Sequence, residues 1–228
     1  MTVLDKWDLR LDVDAVLRGQ GADPDAIRRR SPRLVESAGR ALEEGNLLLQ
    51  PRVVARRLLI EDLQHERLKL EGNGRLSGGL LAEHMGGAQE VVIVLCTVGE
   101  ALERRAAEIS IEDPVYGLAL DGVGSAGVET LANAACAFFE EEATDEHCQI
   151  TIPLSPGMVG WPSEQGQPQI FDLLDAGEIG VRLTESMMMI PRKSLTFVLG
   201  MGKELIAGGR ICDYCSLKDI CRYRDHYD

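Results

Sequence analysis

Three of the six cysteines in this 228-residue chain fall at its end, as Cys212-Asp213-Tyr214-Cys215 followed by Cys221. Two thiols separated by two residues can converge on one ion, because a tight turn brings their sulfurs together, and the third arrives from the next stretch of chain. The C-x2-C-x5-C array therefore reads as a metal site that lacks one tetrahedral ligand. Candidates for the fourth position are Cys96, Cys136, Cys148, His226 or an exogenous group. Around the array Arg210, Lys218, Arg222 and Arg224 oppose Asp213 and Asp219. That local positive charge would offset an anionic thiolate cluster and would equally suit an acidic partner. His65, His84 and His147 lie apart, without ligand spacing, and read as ordinary surface or packing residues.

A site of this kind needs a body to carry it. With 45% hydrophobic residues the chain can bury a core, and its length suits one domain with an appendage. The net charge of −13 argues against a general phosphate-backbone binder, so nucleic acid is not expected as a partner. No window approaches the roughly 18 uninterrupted apolar residues that span a bilayer, and the first residues, with Asp5, Lys6 and Asp8, lack the form of a secretory signal. A cytoplasmic location is expected, where disulfides are rare and clustered thiols read as metal ligands.

Apolar periodicity predicts a helix over residues 32–44, stopped by Gly45 and Asn46, and strands over 53–60 and 67–70. A short helix over 77–85, a buried strand over 91–96 and a helix capped by Thr97 and running to Glu108 follow. Residues 114–142 form the longest helical pattern. Its glycines at 117, 122, 124 and 127 each cost about 1 kcal/mol of helix propensity relative to alanine, which implies close packing against another backbone or a ligand. A strand over 148–154, a Gly- and Pro-rich loop over 155–168, a short helix over 168–174 and strands over 181–183 and 194–199 complete the pattern. The irregular alternation points to an α+β fold, with helices packed on a mixed or antiparallel sheet and a C-terminal metal-binding tail.

The ordered series Ser155-Pro156-Gly157, Ile170-Phe171-Asp172-Leu173-Leu174-Asp175, Gly180-Val181-Arg182-Leu183-Thr184-Glu185-Ser186 and Pro191 resembles the activation domain of vitamin B12-dependent methionine synthase. Thr97-Val98-Gly99-Glu100 and residues 121–132 are similar to small stand-alone relatives of that domain. The resemblance divides the chain into an N-terminal segment over 1–30, an activation-like domain over 31–205 and a Cys-rich tail over 206–228. It implies a domain that binds S-adenosylmethionine and caps the cobalamin of a partner, so that inactivated cob(II)alamin is reduced and remethylated. Cofactor contacts would come from Ser155, Pro156, Gly157 and Met158 in the loop, from Glu129 and Asn133 on the long helix, and from Glu185. No catalytic residue is assigned.

This chain departs from the family pattern in that loop. Pro153 stands where the family has an arginine that engages the methionine carboxylate, and Met158 where it has a tyrosine. Proline cannot imitate a bidentate, charge-assisted contact. Trp161 either stacks on a corrin or adenine ring or anchors a surface loop. Glu185 is either a ligand contact or a buried carboxylate that accepts from loop amides. Met187, Met188 and Met189 suit an adaptable binding surface or core filling.

The tail, Cys-Ser-Leu-Lys-Asp-Ile-Cys-Arg-Tyr-Arg over 215–224, is similar to the C-terminal cysteine tail of iron–sulfur nucleases of the CRISPR-adaptation and AddB type, which implies an iron–sulfur cluster, with zinc as the alternative. No nuclease carboxylate-lysine motif accompanies it. Together these features predict an accessory protein for a cobalamin-dependent methyltransferase, whose partners are a corrinoid-binding methyltransferase protein and an electron donor. The alternative is a non-catalytic module that recognises a corrinoid protein or tetrapyrrole, with a structural zinc tail.

Overall fold

The computed structural model describes residues 1–205, 210–215 and 218–219. The strands at its centre are β1 (Thr2–Leu4), β2 (Arg52–Gln64), β3 (Arg67–Leu70), β4 (Arg75–Ser77), β5 (Glu90–Thr97), β6 (Gln149–Ile150) and β9 (Ser194–Gly202). They form an antiparallel sheet in the order β4-β3-β2-β5-β9-β6, with β1 also pairing β2. A separate hairpin joins β7 (Arg182–Leu183) to β8 (Met189–Ile190). The α+β expectation holds, and every pairing is antiparallel. β2 serves three neighbours: residues 52–59 pair β5, residues 53–55 also pair β1, and from Ile60 onward, across an irregularity between Ile60 and Asp62, it pairs β3. Such an irregularity bends a strand and increases its twist.

Strand alternation splits the core into two layers. Val91, Ile93 and Leu95 of β5 face one cluster with Leu154, Trp161 and Ile170, whereas Val92, Val94 and Cys96 face another with Val128, Leu131 and Ala135. The second layer belongs to α6 (Pro114–Asp145), 32 residues long, capped at its start by the Asp113 side chain accepting from Tyr116 N at 3.0 Å. Around α6 pack α1 (Val13–Gly19), α3 (Pro32–Asn46) and α5 (Ala101–Ile109), with α2 (Pro24–Arg30) lying against α1 and α3. The first thirty residues thus contribute β1 to the sheet and the buried Val16 and Leu17 to the core.

The glycines of α6 explain themselves by proximity. A Cβ on Gly122 would stand 2.8 Å from Val16 O, and one on Gly117 would stand 2.9 Å from Ser110 Cα, so both positions let other backbone approach. α3 stops at Asn46, as the Gly45-Asn46 pair predicts, and Gly45 in its last turn also has a packing role, since a Cβ there would meet Val123 Cγ1 at 2.7 Å.

Three further boundaries move. Thr97 belongs to β5 and its Oγ1 accepts from Gly99 N at 3.2 Å, while α5 starts only after Glu100. The strand expected over 148–154 shortens to β6 plus a bridge from Leu154 to Val198. The expected loop over 155–168 contains the start of α7 (Ser163–Leu173), with Pro168 inside the helix. Gly166 of α7 lies so close to Trp161 and Pro156 that a Cβ would come within 2.9 Å of each, and this packing holds the helix despite its proline. α4 (Gly79–His84) covers the β3–β4 end of the sheet.

Candidate functional site

The expected ligand residues are divided by the sheet. Ser155, Pro156, Gly157 and Met158 lie on the α7 side and are folded into a self-contained turn. Met158 N donates to Ser155 O at 3.1 Å, Ser155 N points at Met158 Sδ at 3.1 Å, and Gly157 N donates to Trp161 O at 2.7 Å. The departure at Met158 therefore has a local consequence, since its thioether closes the turn it belongs to. Trp161 corrects the expectation most clearly: it is 0% exposed within the α7-side core, so neither ring face is open to a corrin or adenine ring. Its role is packing.

Glu129 and Asn133 occupy successive turns of α6, on the other side of the sheet, half-buried and exposed respectively. Glu185 sits at the exposed tip of the β7–β8 hairpin, so it is not the buried carboxylate weighed as an alternative. The tip is closed by Thr184, whose N and Oγ1 both donate to Met188 O, and whose Oγ1 also accepts from Met188 N. Met187 adopts φ +63° there and Met188 is exposed, so this run is a hairpin turn and only Met189 packs against the core.

What the structure does bring together is the set of motifs themselves. A cleft of about 490 Å³ opens where β2 and β5 end, lined by Gln50, Arg52, Gly99, Glu100, residues 179–182, Ile190 and Pro191. That volume is in the range of small-molecule sites. Thr97-Val98-Gly99-Glu100 and Gly180-Val181-Arg182, some eighty residues apart, meet here. Arg52 and Arg182 supply positive charge, and among the described residues neither is held in an ion pair. Glu100 supplies negative charge and is bridged to Arg104 at 2.5 Å. Opposite charges flanking a cleft suit a zwitterionic ligand that carries a carboxylate and a cationic centre.

A polar network fixes this wall. Lys193 Nζ donates to Asp121 Oδ2 and Ser125 Oγ on α6, both at 2.8 Å, and Lys193 N donates to Glu103 Oε1 on α5 at 3.1 Å. Ser194 Oγ lies 2.7 Å from Pro191 O and 2.9 Å from Thr97 Oγ1. The turn through Pro191, joined to Ile190 by a cis peptide bond, is thus tied to β5, α5 and α6 at once. The composition alone did not single out Arg52, Glu100 or Arg182; the motifs carrying Glu100 and Arg182 were the available signal, and Arg52 had none.

The tail meets the opposite layer. A 3-10 turn over Ile211–Tyr214 presents Tyr214, between the first two cysteines of the array, to α4. Tyr214 OH donates to Glu83 Oε1 at 3.1 Å, and Tyr214 O accepts from Val159 N at 3.0 Å. Burial, followed by the hydrogen bond to Glu83, pushes the phenol above its ordinary range. Cys212 and Cys215 are partly exposed, while Cys221 lies outside the described residues, as does His226. Among the described residues no three Cys, His, Asp or Glu side chains already converge as a metal centre. Cys96 is unsuited as the fourth ligand, because it is fully buried beneath α6 and burial drives its thiol far above the usual range. Cys136, on α6, is pushed up to about 12, again mainly by burial. No helix among the described residues is long and apolar enough to cross a membrane.

Residues 135–204 match the family model described as vitamin B12 dependent methionine synthase, activation domain. That span runs from the second half of α6 to the end of β9 and stops before the cysteine tail. Among solved structures, the crystal structure of the MetH reactivation domain bound to AdoHcy aligns over 99% of this chain and 86% of its own, with a TM-score of 0.61 at 15% identity. No curated protein matches the sequence. The chain thus carries the sequence pattern of the vitamin B12-dependent methionine synthase activation domain over residues 135–204, and that domain's fold over nearly its whole length.

Proposed function

We propose that this chain is an accessory protein of a cobalamin-dependent methyltransferase, capping the corrinoid of that partner and supporting its reductive reactivation. The observation that carries the proposal is the meeting of two family motifs at one cleft whose walls hold Arg52, Arg182 and Glu100. The related reactivation domain was crystallised with AdoHcy, and an S-adenosyl ligand has the charges this cleft complements. Arg52 or Arg182 would hold its carboxylate, and Glu100 would face its amine or sulfonium. The Ser155–Met158 turn does not fit that task, since Pro153 replaces the arginine and the Met158 thioether fills the turn.

S-adenosylmethionine, when bound, would supply the methyl group, leaving S-adenosylhomocysteine in the cleft, and the partner would supply the cobalt. The chain's own contribution is to fix the Ile190–Pro191 wall through Lys193 and Ser194, to place one anionic and two cationic side chains around the cleft, and to present the exposed hairpin tip at Glu185 and Met188 to a partner surface. The tail cysteines, as an iron–sulfur centre, would relay an electron from an external donor protein, whereas a redox-inert zinc ion there would only hold the tail in place. We place this activity in the cytoplasm, where reducing conditions keep Cys212 and Cys215 as thiols.

Calorimetric titration of the full chain with S-adenosylhomocysteine tests the ligand assignment. Binding is expected, weakened about tenfold or more by Arg182→Ala or Arg52→Ala, which is the loss of about 1.4 kcal/mol, a modest charge-assisted contact. Absence of heat with S-adenosylhomocysteine and S-adenosylmethionine, even with a corrinoid protein present, would sink the methyl-donor role. The departures at Pro153 and Met158 favour, in that event, the second reading of a module that recognises the corrinoid protein without a methyl donor.

A further inference from the structure

Resting on the tail as a metal site, we propose that His84 supplies the ligand that the cysteine array lacks, its Nε2 joining the thiolates of Cys212 and Cys215 on one metal centre. His84 ends α4 and is 6% exposed, and its Nε2 is buried without a hydrogen-bond partner among the described residues. A buried polar nitrogen left in that state calls for a partner, which the described residues do not provide. Tyr214, one of the two residues between the cysteines, is fixed against this imidazole. The Tyr214 ring stands edge-on to His84 with centroids 4.6 Å apart, its hydroxyl is bonded to the adjoining Glu83, and its carbonyl is bonded to Val159.

Three anchors on one residue therefore hold the C-x2-C segment beside the His84 imidazole. Both thiols are one or two residues from Tyr214, and binding a metal would draw them toward His84 at ordinary lengths of about 2.3 Å for sulfur and 2.0–2.1 Å for nitrogen. The internal competitors are placed elsewhere. Cys96 and Cys136 lie on the α6 side of the sheet, and Cys148 Sγ is engaged with Glu146 O at 3.6 Å, beyond the end of α6. A mixed thiolate and imidazole set is usual for tetrahedral zinc, and on an iron–sulfur cluster an imidazole raises the reduction potential. In either case the centre is clamped to α4 and not carried on a free tail.

The test uses the full chain, loaded anaerobically with Zn2+ alone in one arm and with iron and sulfide in the other, and examined by X-ray absorption at the edge of each metal. One imidazole nitrogen beside sulfur is expected in the wild type. His84→Ala should remove it and weaken Zn2+ binding by about 100-fold or more, since loss of even an outer-shell partner of a metal ligand costs about 10–100-fold. His84→Cys keeps a ligand in the same pocket and should restore affinity with an all-sulfur shell, which separates ligand loss from misfolding. An all-sulfur wild-type shell in both arms, or a nitrogen signal that survives His84→Ala, would overturn the assignment. If Cys212→Ser and Cys215→Ser also leave metal binding unchanged, the tail reading falls with it; if only the His84 variants are silent, the tail reading stands and His84 is excluded.

Discussion

The glycines of α6 make opposite predictions for the same substitution, and this tests whether packing or propensity decided them. At Gly122 a Cβ would lie 2.8 Å from Val16 O and 2.6 Å from Gln20 Cγ, at the crossing of α1 and α6. Backbone oxygen at that distance cannot swing away, so overpacking of about 3 kcal/mol applies, the upper part of its range. The gain in helix propensity returns about 1 kcal/mol. Gly122→Ala should therefore lose about 2 kcal/mol net, a fall of roughly 4–8 °C in Tm for a chain of this size. At Gly124 the nearest atoms are Lys193 Cγ at 3.1 Å and Leu102 Cδ2 at 3.3 Å, side-chain atoms farther off than the Val16 oxygen at Gly122, which need give only by a few tenths of an ångström. Gly124→Ala should stay within about 1 kcal/mol of wild type, because the propensity gain offsets the smaller crowding. Thermal unfolding followed by circular dichroism, with calorimetry to check two-state behaviour, measures both. A Gly122→Ala protein as stable as Gly124→Ala would refute the claim that the α1–α6 backbone contact selected glycine.

Two further perturbations probe the core and the periphery. Trp161→Ala should cost about 3–5 kcal/mol in urea unfolding, as for other large buried aromatics, while leaving the affinity of the Arg52 and Arg182 cleft for S-adenosylhomocysteine unchanged; unaltered stability would restore Trp161 as a surface residue. Glu44 is hydrogen-bonded by Arg105 and then Tyr116, which hold its carboxyl below its ordinary value of 4.5. A depressed native pKa stabilises the fold above the unfolded value, and the contribution is lost as pH falls through the native one. Wild type should therefore exceed Glu44→Gln in Tm at neutral pH by an amount corresponding to about 0.5 kcal/mol, since the pair is partly exposed, and the difference should close as pH drops below about 4.5. A gap that widens on acidification would reverse the sign and reject the assignment.

The sequence by itself determined much of the local structure. Period-3.6 apolar spacing located α3 and α6, alternation located β3, apolar and β-branched runs located β2 and β9, and the chain of short motifs pointed to the activation-domain fold. It also marked Cys212, Cys215 and Cys221, because metal-ligand spacing is a local property of the chain. Where local signals competed with packing they misled: residues 163–168 looked like a loop and are held as helix against Trp161.

Only the tertiary structure could place side chains across layers. It buried Trp161 instead of offering it to a ring, because the strand alternation of β5 turns Val91, Ile93 and Leu95 toward it. It set Glu129 and Asn133 on the opposite side of the sheet from Ser155–Trp161, a separation that no spacing along the chain encodes. It brought Arg52 beside Glu100 and Arg182, and Tyr214 beside His84, across some 130 residues in each of the two longest pairings. Long-range proximity depends on how the sheet and helices pack as solids, whereas motif and periodicity depend on neighbours along the chain, and that physical difference is where the sequence stopped being informative about this protein.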